Sequence, residues 1–84
     1  MNREEIIQQL KVIIKPYAAN EEAYANLTED TDFINDLNIN SANLVDIILD
    51  IEEKFDVVID NTDMERMLDV KTALDIIETK LAEK

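Results

Sequence analysis

Ser41 is where a chemical role is easiest to place. It follows Asn40, a favoured helix-opening type, and stands between an acid-rich stretch and a strongly apolar helical segment. A serine there can simply cap the helix. Little other chemistry is within reach. The chain has no Cys and no His, which removes disulfides, thiol nucleophiles, the usual zinc ligands and any imidazole base. It has no Gly either, which excludes a glycine-rich phosphate loop, a dinucleotide-binding turn and a nucleophile elbow. If such a chain takes part in chemistry, it does so as a passenger or carrier.

Charge narrows the choice of partner. The 84 residues hold 20 acidic and 8 basic side chains, a net charge of −12, so a nucleic acid would be approached against repulsion. A basic protein surface fits better. Ten of the acids (Glu21, Glu22, Glu29, Asp30, Asp32, Asp36, Asp46, Asp50, Glu52 and Glu53) lie between Pro16 and Glu53, where there is no Lys or Arg. A one-sign region of this kind acts as a steering field. Asp36, Asn38 and Asn40 alternate like the start of a calcium loop. The pattern then fails: Ser41 stands where Gly is needed, and Ile47 where a bidentate Glu should close the site. No metal is expected.

The length suits one small domain, residues 1–84, burying roughly 60–65% of its unfolded surface. Its elements read as helices. Asn2 with Glu5 opens a first one, running to about Lys15, with Ile6, Ile7, Leu10, Ile13, Ile14 and Tyr17 on one side and only Val12 behind. Pro16 ends it. Residues 17–40 carry no sustained period and read as a long loop anchored by Leu27, Phe33 and Leu37, a length that usually has a function or hides a helical turn. A strong helix follows from Ser41 to Phe55. Val57-Val58-Ile59 is too short for a sheet and reads as a connector. Thr62 to Glu65 forms a capping box opening a short helix with Met64, Met67 and Leu68 inward, and Val70, Ala73, Leu74, Ile77 and Leu81 define a last helix. The expected fold is an all-α four-helix bundle, three longer helices and one short one, with a long first loop.

The Ser41–Phe55 segment has two apolar faces. At about 100° per residue, Leu44, Ile47, Ile48, Ile51 and Phe55 form a core stripe. Val45 and Leu49 fall outside it, with Ala42 and the acids Asp46, Glu52 and Glu53 around them. An apolar pair framed by carboxylates suits a partner offering a greasy patch ringed by Lys or Arg.

The whole pattern resembles the acyl carrier proteins. The residues that carry the resemblance are Phe33, Asp36-Leu37, Ser41, Val45 to Leu49, Ile51 to Phe55, Ile59, Val70, Ala73, Leu74 and Ile77. It extends without a gap from Phe33 to Ile77, and the first helix fits as well. The resemblance implies that Ser41 is esterified with 4′-phosphopantetheine from coenzyme A, whose thiol carries acyl groups as thioesters. Catalysis would then reside in partners: a phosphopantetheinyl transferase and acyl-processing enzymes with basic docking surfaces. It also implies a sheltered acyl chain lined by Ile48, Ile51, Ile59, Met67, Ala73 and Leu74. Two other roles stay open: a carrier of aminoacyl groups (D-alanyl or peptidyl), and an unmodified acidic adaptor for a basic partner.

Some positions depart from the family pattern. The serine usually sits in Asp-Ser-Leu, and here it sits in Asn40-Ser41-Ala42. Asn43 replaces a common acid, Asn38 a common Gly and Asp60 a common Pro. Asn38 is expected to keep its turn, since Asn tolerates the left-handed region. The changes beside Ser41 suggest a specialised carrier. The polar N-terminus does not read as a signal peptide, and no apolar run is long enough for a membrane span, so a cytoplasmic monomer is expected.

Overall fold

The computed structural model describes residues 2–83, and among these every regular element is a helix: α1 (Arg3–Ile14), α2 (Glu21–Ala25), α3 (Ser41–Phe55), α4 (Asn61–Arg66) and α5 (Val70–Ala82). All five are opened in the same way. The side chains of Asn2, Asn20, Asn40, Asp60 and Asp69 accept the N–H of the residue three positions on. Such caps satisfy donors that a helix cannot pair internally. With no Gly available, the left-handed positions fall to Asn38 (φ 57°), as expected, and to Asp56 (φ 55°), which ends α3.

The core is one cluster drawn from every part of the chain except α2 and the α4 helix itself. From α1 come Ile6, Leu10 and Ile14, and Val12 is left 70% exposed as the spacing predicts. From α3 come the five expected stripe residues, and from α5 Val70, Ala73, Leu74, Ile76 and Ile77. Phe33, Leu37 and Ile39 enter from the long connection and are at most 1% exposed. Leu27 is half-buried at its edge.

Residues 17–40 do hide a helical turn, α2, which has no buried residue and is too short to show a period. Two expectations need correction. The short fourth helix is capped by Asp60, so the capping box expected at Thr62 does not form and Thr62 lies inside α4. Leu68 is 48% exposed where it was expected inward. The chain is already extended there, forming an isolated antiparallel bridge between Asp32 and Asp69. Met67, which caps α4, turns inward and Leu68 beside it outward, while Val70 is buried as the first residue of α5.

That bridge fastens the long connection to the start of α5. Phe33 N–H donates to the Leu68 carbonyl at 2.9 Å, Val70 N–H to Thr31 at 3.0 Å and Lys71 N–H to Glu29 at 2.9 Å. Arg3 adds a second fastening from α1. Its guanidinium bonds Glu29 at 2.8 Å and Asp75 at 3.1 Å and also pairs with Glu78, and these carboxylates raise its already high pKa.

Asp69 yields a pH prediction. Hydrogen bonds from the Thr72 side chain and backbone hold its carboxyl below the usual range. A lowered folded pKa means that the cap's electrostatic contribution is complete above the unfolded value, about 4, and is lost as pH falls through the folded value. Urea titrations should show Asp69→Ala about 1 kcal/mol less stable than wild type at neutral pH. Asp69→Asn keeps an acceptor and should close on wild type only in acid. A wild-type advantage over Asn that is constant down to pH 3 contradicts the assignment.

Candidate functional site

Ser41 is the first residue of α3 and is exposed. Buried Ile39 precedes it and buried Leu44 follows, so the helix start is anchored on both sides. The Asn40 side chain accepts Asn43 N–H at 2.8 Å, and its carbonyl accepts Leu44 N–H at 3.0 Å. Capping is therefore done by Asn40, and the Ser41 hydroxyl is not needed for it. At that place the hydroxyl meets solvent at the positive end of the helix dipole, which fits a phosphodiester carrying one negative charge. Within the first turn of α3 no acidic side chain opposes such a group.

The acid-rich stretch before Ser41 is a self-bonded turn. Asp32 accepts the N–H groups of Ile34 and Asn35, and Asp36 accepts that of Asp32 at 2.7 Å. Ile39 N–H closes back on the Phe33 carbonyl at 3.0 Å. Oxygens of Asp36 and Asn40, two members of the calcium-like pattern, are thus engaged with backbone. Among the described residues no group of three or more acids, His or Cys is arranged to hold a metal ion.

Along α3, Val45 is 44% and Leu49 54% exposed, so the second apolar face is open to solvent. Asp46 and Glu53 are exposed beside it. Glu52 differs from them. It is half-buried, and one of its carboxylate oxygens accepts Ile59 N–H at 2.9 Å, tying the connector after α3 back to the helix. No local pattern signals this contact, which joins residues seven apart across a chain reversal. Asp50 was also not singled out. Tyr17, just past α1, donates to its carboxylate at 3.3 Å, and partial burial together with the charges of Asp50 and Asp46 pushes the Tyr17 phenol up.

Ile48, Ile51, Ile59, Met67, Ala73 and Leu74 are all buried and belong to the one core cluster, together with the rest of the α1, α3 and α5 core faces. Met67 closes the end of α4, which is also held by Lys80 and Asp63 at 3.2 Å. That pair raises the Lys80 pKa, through the hydrogen bond first, with desolvation opposing it.

The family profile described as the phosphopantetheine attachment site matches residues 7–79. An acyl carrier protein of Coprothermobacter proteolyticus is 38% identical over 84 residues, covering 100% of both chains, and one of Thermotoga maritima is 36% identical, covering 95% of this chain and 96% of that one. Among solved structures, the Enterococcus faecalis acyl carrier protein superposes with a TM-score of 0.78 at 29% identity, over 95% of this chain and 99% of that one. A Thermotoga maritima acyl carrier protein shares the fold, with a TM-score of 0.79 at 22% identity, over 99% and 94% of the two chains. The chain belongs to the acyl carrier protein family. Its cofactor is 4′-phosphopantetheine, and it is a carrier, with catalysis performed by other proteins. Among the described residues no helix is long and apolar enough to cross a membrane.

Proposed function

We propose that Ser41 carries the 4′-phosphopantetheine arm, and that the chain presents acyl thioesters to enzymes docking on Val45, Asp46, Leu49 and Glu53. One observation carries the assignment: Ser41 is the only serine in the chain, and it is exposed at the start of α3. When bound, the arm supplies the thiol that this cysteine-free sequence lacks. The residues of the chain do the rest. Asn40 holds the helix start open, the α3 dipole faces the phosphodiester, and the acids of α3 attract a basic partner. Glu52 contributes mainly by fixing Ile59. The neutral neighbours Asn40, Ala42 and Asn43 favour a dedicated transferase and cytoplasmic partners specific to this carrier.

The acyl cargo is sheltered in the core, where Ile48, Ile51, Ile59, Met67, Ala73 and Leu74 are buried members of one cluster and Met67 can repack because its side chain is unbranched. Loading a medium-length acyl group on the arm should move the methyl resonances of these six residues more than those of Val45 and Leu49. If only exposed residues respond, the cargo is unsheltered, and an aminoacyl or other short polar load replaces the acyl reading.

A further inference from the structure

Val12 is an aliphatic side chain on the polar face of α1, and neither the core nor the proposed docking on α3 accounts for it. It lies 70% exposed, at a groove of about 460 Å³ that it lines together with Ile13 from α1 and Asp50, Glu53 and Lys54 from α3. Of these, Val12 and Ile13 are apolar, Asp50 and Glu53 are carboxylates and Lys54 is a cation. Tyr17 holds Asp50 through its hydrogen bond.

The groove continues the face already described. Glu53 belongs to both, and Ser41 to Lys54 spans about 20 Å of helix at 1.5 Å per residue. An enzyme seated over Ser41 and following α3 therefore arrives at the groove. Its occupant must complement Asp50 and Glu53 while covering Val12 and Ile13, which requires cations flanking an apolar side chain. Anionic surfaces are excluded by the same charges that attract a basic one.

We propose that the α1–α3 groove is a second docking surface, which takes a basic helical segment of a partner protein through one apolar anchor on Val12 and Ile13. This rests on the carrier function proposed above, since the partner is one that acts on the loaded arm. Asp50 and Glu53 receive the flanking Lys or Arg, and Lys54 sets the register by repelling any cation placed opposite it.

Two synthetic helical peptides of equal positive charge test the proposal, one with a single central Leu and one with Ser in its place, titrated onto the phosphopantetheine-loaded chain and followed by methyl resonances. The Leu peptide should bind about fivefold more tightly and shift Val12 and Ile13, and Val12→Ser should abolish that advantage. Val12→Lys should weaken both peptides, with an effect that fades in salt. The exposure of Val12 makes both variants tolerable to the fold, which thermal unfolding checks. If Leu49→Ser removes the advantage and Val12→Ser leaves it intact, the groove is not a docking surface and the α3 face acts alone. Loading of Ser41 is measured on the same samples: a chain that cannot be loaded overturns the carrier function, whereas a normally loaded chain with no Val12 effect overturns only the groove.

Discussion

Phe33→Ala should remove a large part of the stability of the native state. Phe33 is 0% exposed and is the largest fully buried side chain, and its backbone is fixed at both ends, by N–H to Leu68 and by the carbonyl to Ile39. Truncating a buried Phe costs about 3–5 kcal/mol, from lost transfer energy and from the cavity left behind. A chain of 84 residues has a total stability on the order of 4–13 kcal/mol. The substitution also strikes where the long connection meets α5, so the turn that leads into Ser41 should loosen with the core. Urea unfolding followed by circular dichroism should show the midpoint falling steeply. Ile34→Ala, next door and 36% exposed, should change stability by less than about 0.5 kcal/mol. Equal effects at the two positions would mean that the connection is not part of the core.

The second large effect concerns partner encounter. Replacing Asp46 and Glu53 together with Lys should slow transferase-catalysed modification of Ser41 about tenfold or more at low ionic strength, and should flatten its salt dependence. Rim charges govern association, and their influence is lost beyond a Debye length of about 8 Å at physiological salt. Glu52 is deliberately left in place, because its bond to Ile59 N–H would make any loss there structural. Leu49→Ser should instead weaken the complex and leave the salt response unchanged, since it removes short-range apolar contact. Rates measured from low to high salt separate the two. An Asp46/Glu53 variant that keeps the wild-type salt slope contradicts steering by this face.

The long helices were legible because each carries enough turns for a period to emerge. In α3 the separation of Leu44, Ile47, Ile48, Ile51 and Phe55 from Val45 and Leu49 follows from 100° rotation alone, and the burial pattern agrees. In α1 the same arithmetic isolates Val12. Short elements escaped it. The five residues of α2 turn barely once, and α4 opens on Asp60, two residues before the capping box expected at Thr62. Leu68 was misplaced because a helical period was carried past the end of α4 at Arg66.

Within the candidate site, Ser41 was legible through its place at the helix start and through the family pattern around it. Contacts that depend on chain reversal were not. Glu52 to Ile59, Tyr17 to Asp50 and Arg3 to Glu29, Asp75 and Glu78 join segments whose approach no local pattern encodes. Nor did any local pattern encode the hydrogen bonds by which Asp32 and Asp36 hold their own turn.

Attachment at Ser41 is the central claim, and the intact mass of the purified chain before and after incubation with coenzyme A and a broad-specificity phosphopantetheinyl transferase tests it most directly. Wild type should gain the mass of one phosphopantetheinyl group, with the new thiol titrating as a single equivalent. Ser41→Ala should gain nothing while keeping its fold, because Asn40 and not Ser41 supplies the cap. Modification that persists in Ser41→Ala, or a well-folded wild type that no transferase modifies, would contradict the account.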